Sequence, residues 1–354
     1  MEFTAEEIDV SDDDVETVTD RLYRAGLTDG LPVIPPTPDR VERMVAGSTR
    51  SPDESLGTLP PKYGDATVET VAINAVMAGC KPAYMPLIEA AVSALTADAF
   101  NLYGINATTH PVAPLLVVNG PIVDALNVNY GYNVFGQGWR ANATIGRAIR
   151  LLLVNVGGGV PGDMDRATHG HPGKYSYCIA ENERASPWEP LHVRRGFDAD
   201  QSTVTAMAVE APHEINDHVH GDAAGLLGVA ADVFATVGNN NTHHSGGEIT
   251  LVLGPEHATS IATDGWSVED VQWYLYDQAR NTVADLRAAG IYDNYTLHRR
   301  FRLAEAATAR IPLVERPDDV VVLVAGGAGK HSLALHSFGE TRSVTRPIEG
   351  GVDE

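Results

Sequence analysis

Two seven-residue stretches, GINATTH at 104–110 and GNNNTHH at 238–244, carry glycine, asparagine, threonine and histidine at the same spacing. Each precedes an apolar run that closes in Gly-Pro. An offset of 134 aligns eleven identities over residues 90–121 without a gap, among them Phe100 with Phe234, His110 with His244 and Pro121 with Pro255. The agreement continues downstream in kind: Gly138-Trp139 opens one helical run, Gly265-Trp266 opens another, and a strand-like stretch follows each. The repeated order is helix, loop, strand, helix, strand, which makes the units α/β with a largely covered sheet. The expectation is an internally duplicated α/β protein packed about a pseudo-twofold. A helical, proline-rich lead-in covers 1–66, a first unit 67–200, a second unit 201–340 and a tail 341–354.

Local signals place the elements. A first helix is expected over Asp13–Ala25, capped by Ser11 or Asp12 and ended by Gly26. DGLPVIPPTPDR, 29–40, is too rich in proline for a helix, but Thr37 followed by Pro38 starts a short one. Residues 47–66 read as loop. The apolar period is helical in VETVAINAVMAG and in PLIEAAVSALTADAF, then APLLVVNG, 113–120, reads as a buried strand. RANATIGRAIRLLLVNV reads as a helix, KYSYCIA as a strand, SVEDVQWYLYDQAR as a helix and DDVVVLVAG as a strand.

Composition limits function. The net charge is −22, with only four lysines, Lys62, Lys81, Lys174 and Lys330, among 25 cations. An acidic, lysine-poor surface is similar to those of salt-loving archaeal proteins, and it repels phosphate backbones and anionic membranes. No apolar run reaches the length of a membrane span, and the acidic amino terminus is unlike a secretory signal. A cytoplasmic location is expected. The two cysteines, Cys80 and Cys178, form no CxxC pair, which excludes a disulfide scaffold and a thiolate zinc knuckle.

The chemistry-bearing residues fall into four groups. His110 and His244 either stiffen their loops by bonding backbone carbonyls or line one cleft between the units, as acid–base groups or metal ligands. His243 and Glu248 enrich the second copy, and HEINDHVHGD adds His213, Asn216, Asp217 and His218; a metal set of His244, His243, His213 and Asp217 follows from this. Glu181, Asn182 and Glu183 close a strand at its C-terminal end, where open α/β sheets bind ligands. Cys178, in the same strand, is either a small core residue or a nucleophile. His169 and His171 form an H-x-H pair upstream of it. Arg140, Asn142 and Arg147 on one helix can clamp an anionic cofactor or pair structurally, and Gly326, Gly327 and Gly329 offer backbone N–H groups to an anion. GGGVPG, 157–162, satisfies a dinucleotide fingerprint literally, but no helix pattern follows it.

Six stretches carry a family resemblance: DGLPVIPPT, INAVMAGCKP, ATTHPVAPLLVVNGP, NVFGQGWRANATIGRA, PGKYSYCIAENERASPWEPLH and GPEHA. Over about residues 29–340 the chain resembles uncharacterised proteins labelled as companions or fusion partners of small UGSC-motif thiol or selenoproteins. The resemblance implies a thiol-protein partner and transfers no catalytic role to any residue. The chain itself contains no UGSC or CGSC motif.

The functional expectation is an enzyme applying histidine and carboxylate acid–base chemistry, with or without a divalent transition metal, to a small polar substrate by hydration, elimination or hydrolysis. His110 and His244 stand at its centre, with Glu248, Asp217 and Glu181 as carboxylate partners. The alternatives are a thiol-dependent redox enzyme or accessory subunit using Cys80 or Cys178, and a non-catalytic subunit, as a homo-oligomer or with a thiol protein.

Overall fold

The computed structural model describes residues 3–5, 8, 14–244, 246–292 and 306–350, except for the side chain of His244. Ser11 and Asp12 lie outside the described residues. The first helix, Val15–Arg24, is capped by Asp14, whose carboxylate accepts from the N–H groups of Glu16 and Thr17. The second, Pro38–Val45, begins on its proline after Thr37, where a fixed φ is already helical. The third, Val68–Ala78, starts at the Thr67 cap and stops at Gly79 in the left-handed region.

Residues 47–66 are not all loop. Here β1 (Ser55–Leu59) and β2 (Gly64–Thr67) form an antiparallel hairpin. Its strands are too short and too polar for an apolar period to reveal them. β3 (Ala113–Asn119), β4 (Cys178–Ala180) and β5 (Thr203–Val209) lie in a first four-stranded sheet, and β6 (His213–Asn216) and β7 (Ile249–Leu253) in a second. β8 (Arg280–Thr282) and β9 (Arg310–Pro312) make a further hairpin. β10 (Val320–Val324) and β11 (His331–Leu335) belong to the second sheet, while β12 (Val344–Pro347) returns to the first.

The first sheet runs β12-β5-β3-β4 and the second β6-β11-β7-β10. In each, one pair is parallel, β3 with β4 and β7 with β10, and the remaining pairs are antiparallel. β5 leads into β6, and β11 into β12, so the chain crosses from one sheet to the other twice. The sheets therefore do not divide the chain at residue 200: β5 lies in the first sheet, and the tail beyond 340 supplies β12. Backbone pairing over long sequence distances decides this, and no local signal reports it.

Alternate residues of each strand face opposite layers. Leu115, Val117 and Ile179 of the first sheet share a core with Val252, Val321 and Leu323 of the second. On its other face the first sheet packs Leu116, Val118 and Cys178 against Val68–Ala78, Met85–Leu95 and Arg140–Asn155. Ile249, Leu251 and Val322 of the second pack against Ala223–Phe234, Pro255–Thr263 and Val268–Gln278. The layers are thus helices, sheet, sheet, helices. The 134-residue offset matches Leu115 with Ile249 and Val117 with Leu251, yet the first of each pair faces the other sheet and the second faces the helices. At the strands the gapless match is one residue out of step, which exchanges the two faces. Among the described residues no helix is long and apolar enough to cross a membrane.

Candidate functional site

At one end of the first sheet the register of β3 with β5 sets Ala113 opposite Val209, which brings the preceding His110 beside the following Glu210. His110 Nε2 and Glu210 Oε1 are 2.7 Å apart, and His110 Nδ1 is buried without a partner. Phe338, from the second half of the chain, packs against the His110 ring at 5.7 Å. The loop carrying His110 is held from behind. Arg166 and Thr168 donate their N–H groups to the carbonyls of Thr108 and Thr109, and Asn106 donates its side-chain N–H to Pro60 O.

His171 stands in the same neighbourhood, close enough for the charges of His110 and Glu210 to act on it. The Gly173 N–H donates to its Nδ1 at 3.1 Å, while its Nε2 is buried without a partner. Burial, reinforced by the charges of Lys174 and Arg150, lowers its pKa to about 4, so the ring is neutral near pH 7. Tyr177 meets this ring edge-on and donates its hydroxyl to Glu210 O at 2.9 Å. Lys174 pairs with Asp165 at 2.7 Å, and the buried Arg150 donates to Lys174 O.

At the opposite end, β3 and β4 close on a second polar cluster. Asn119 donates its side-chain N–H groups to Glu181 at 2.6 Å and to Glu183 at 2.8 Å. Leu191 N–H also donates to Glu181. Burial raises the pKa of Glu181 despite these bonds. His192 is fully buried and neither ring nitrogen finds a hydrogen-bond partner; Glu183 Oε1, at 3.8 Å from Nδ1, is too far. Asn182 is a strut, because its backbone N–H donates to Val324 O and its side chain to Gly326 O, tying the two sheets together.

The glycine-rich loop after β10 borders a cavity of about 440 Å³ with Asn133–Gly136, Val252, His331 and Leu333. Gly326 has a φ of 106°, and a Cβ on Gly327 would strike the Tyr132 ring at 2.1 Å. These two glycines are needed for the shape of the loop, whatever it binds.

Several residues expected in the site are committed elsewhere. Arg140 donates from Nε and Nη2 to Gly79 O, closing the end of Val68–Ala78. Arg147 grips Asp29 through two nitrogens and donates to Pro32 O. Asn142 accepts from Asn129 N–H and donates to Asn129 O and Cys178 O, which uses its amide fully within the fold. In these positions the three side chains brace the structure. Cys80 and Cys178 are buried, and burial pushes each thiol up to about 12, against the thiolate that nucleophilic work requires.

Of the expected metal set, His213, His243 and Asp217 form no ion-binding group. Among the described residues no group of three or more His, Cys, Asp and Glu side chains can hold a metal ion. His213 is exposed at the start of β6, His243 lies in the short helix Asn240–His244, and the side chain of His244 lies outside the described residues. Asp217 is buried in its own turn. Burial works to raise its pKa, but the His220 and Val219 N–H groups and the His220 ring bring it down to about 2. Glu248 accepts from Ser343 N–H at 2.9 Å, and burial raises its pKa against the pull of Arg195.

Glu210, Asn119 and His192 carry much of the two polar clusters and were not singled out by sequence. For Glu210 a signal existed: TVTAMAV, residues 203–209, is a strand-like run ending in a carboxylate. Fold and clusters together define a four-layer α/β protein with buried polar groups at both ends of its first sheet. Protein-family models, curated proteins and solved structures contain no match to this chain.

Proposed function

We propose that the chain is an enzyme that moves protons on a small polar substrate, with His110 as base and His171 as hydrogen-bond donor to a developing oxyanion. One observation carries the reading: the two rings are left with complementary unpaired nitrogens. A carboxylate only accepts, so neutral His110 holds its proton on Nε2 toward Glu210 and presents a lone pair at Nδ1. Gly173 N–H donates to His171 Nδ1, so neutral His171 holds its proton on Nε2. Proton abstraction leaves His110 as an imidazolium that Glu210 stabilises, and neutral His171 steadies negative charge formed on oxygen. This is the first half of an elimination; in the reverse of a hydration the second half breaks the C–O bond, and the departing hydroxyl takes up a proton and leaves as water. Buried thiols disfavour the redox alternative.

The reading includes internal duplication about a pseudo-twofold. Its support is the shared strand order of the two sheets and the reciprocal crossings β5 to β6 and β11 to β12. Val209 and Ser337, which follow the same path in the two halves, bridge one another where those crossings meet.

Nitrogen-resolved spectra of the ring nitrogens test the geometry without a substrate. Both His110 and His171 should appear as Nε2–H tautomers, and an Nδ1–H form of either removes the proposed pair. In D₂O with a panel of small hydroxy and keto acids, folded His110→Gln should lose proton exchange about 10²–10⁴-fold. Undiminished exchange would overturn the assignment.

A further inference from the structure

Going beyond the His110 site, we propose that His218 and His331 hold a divalent transition metal at the mouth of the glycine-loop cavity, with Glu214 as the group that orients His331. The rings of His218 and His331 have centroids 5.0 Å apart with their planes at 78°, a spacing compatible with one ion held about 2.0–2.1 Å from a nitrogen of each. They come from different elements. His331 opens β11, and His218 lies in the turn after β6.

Each ligand is positioned by something other than the metal. The antiparallel register sets His331 against Asn216 and Leu333 against Glu214, so Glu214 is the diagonal neighbour of His331 on one face. Glu214 Oε1 lies 2.7 Å from His331 Nδ1. That contact takes the Nδ1 proton and leaves Nε2 to ligate, the arrangement in which a carboxylate fixes a metal-bound imidazole. The turn carrying His218 is tied by Asp217, which is buried and accepts from Val219 N–H, His220 N–H and the His220 ring. Both imidazoles reach solvent, so an ion can enter.

Two protein nitrogens leave coordination positions open. Imidazole pairs of this kind suit Zn²⁺, Ni²⁺ and Cu²⁺ rather than Mg²⁺ or Ca²⁺. His331 also lines the cavity of about 440 Å³, whose walls include Val134, Phe135 and Leu333. The ligand class that fits is a small molecule with a carboxylate or carbonyl oxygen on the metal and an apolar body against those side chains. In a chain of net charge −22, the metal supplies the positive charge that such an anion needs.

The test uses the whole chain, without an affinity tag and stripped by chelator, titrated with Zn²⁺ and Ni²⁺ by calorimetry and with Cu²⁺ by electron paramagnetic resonance. One saturable equivalent with nitrogen coupling is expected. His218→Gln and His331→Gln should each weaken binding at least tenfold. Glu214→Gln, which removes no metal ligand, should weaken it about 10–100-fold. His110→Gln should bind metal as the parent does, which separates this site from the acid–base reading. Circular dichroism of each variant verifies the fold. Absence of saturable binding by the parent chain, or unchanged binding by the folded His218→Gln/His331→Gln double variant, overturns the proposal.

Discussion

Glu210 and His110 are separated by 100 positions in the chain and by 2.7 Å between their side chains. The register of β3 with β5 creates the contact, and the rest of the cluster gathers around it. Glu210→Gln keeps the size of the side chain and removes its charge. Steady-state kinetics on whichever acid is turned over should show kcat falling about 10²-fold with KM nearly constant, because the lost stabilisation belongs to the imidazolium formed during reaction. A rise in KM alone would make Glu210 a binding group.

Acid should destabilise the fold through His171. Its ordinary value is 6.5 and its folded value about 4, so between those limits the unfolded chain binds more protons than the folded one. Stability therefore rises with pH across that window and is lost as pH falls from 6.5 toward 4. Since the ring is only partly shielded, the contribution is on the order of 1 kcal/mol. Urea unfolding between pH 4 and 7 should give a shallower slope for His171→Gln than for the parent. Identical slopes would mean that His171 already protonates normally in the folded chain.

Cys80 and Cys178 should be silent in the native state. Both are buried, with thiols pushed up to about 12. Iodoacetamide at pH 8, followed by intact mass, should add nothing within minutes to folded protein and two equivalents in denaturant. Rapid native labelling of either residue would restore the thiol reading.

Arg147 should matter far more than its place on a helix implies. Its partner Asp29 has a side chain only 4% exposed, so Arg147→Ala strands a buried carboxylate. A loss of about 3–5 kcal/mol is expected by denaturant titration, together with faster proteolysis near 29–36. Lysine should rescue little, since it lacks the two-pronged geometry. Full stability in Arg147→Ala would show that the proline-rich segment is held by its apolar contacts alone.

Asn142→Ala removes three hydrogen bonds and takes the partner from the Asn129 N–H and the Cys178 carbonyl, while Asn129 O keeps the Ala180 N–H. A loss of roughly 2–4 kcal/mol is expected from chemical unfolding. If Asn142 served a ligand instead, stability would hold and ligand binding would fall.

Much of the architecture was legible because it is written locally. Pro38 begins its helix, Gly79 ends another, and the apolar run at 113–119 is a strand buried on both faces, as an uninterrupted pattern requires. The carboxylates at 181–183 lie where a strand ends, and two of the three share Asn119. Arginine was the least legible residue. Arg140 and Arg147 looked the same by sequence whether they clamp an anion or brace a carbonyl, because a guanidinium takes whichever acceptor the fold brings within reach.

The sequence by itself determined where several helices begin, the buried strands, the acidic composition and the repetition of the histidine stretches. These depend on backbone preferences and apolar periodicity acting within a few residues. The sequence did not determine that the helix read over 86–100 stops at Leu95 or that Leu102–Asn106 is helical. Tertiary structure alone decided that β5 and β12 join the first sheet, that His110 meets Glu210, and that His331 meets Glu214 and His218. Those outcomes rest on strand register, where a shift of one residue turns every side chain to the opposite face. Register is settled by the packing of whole layers, so no short stretch of the chain contains it.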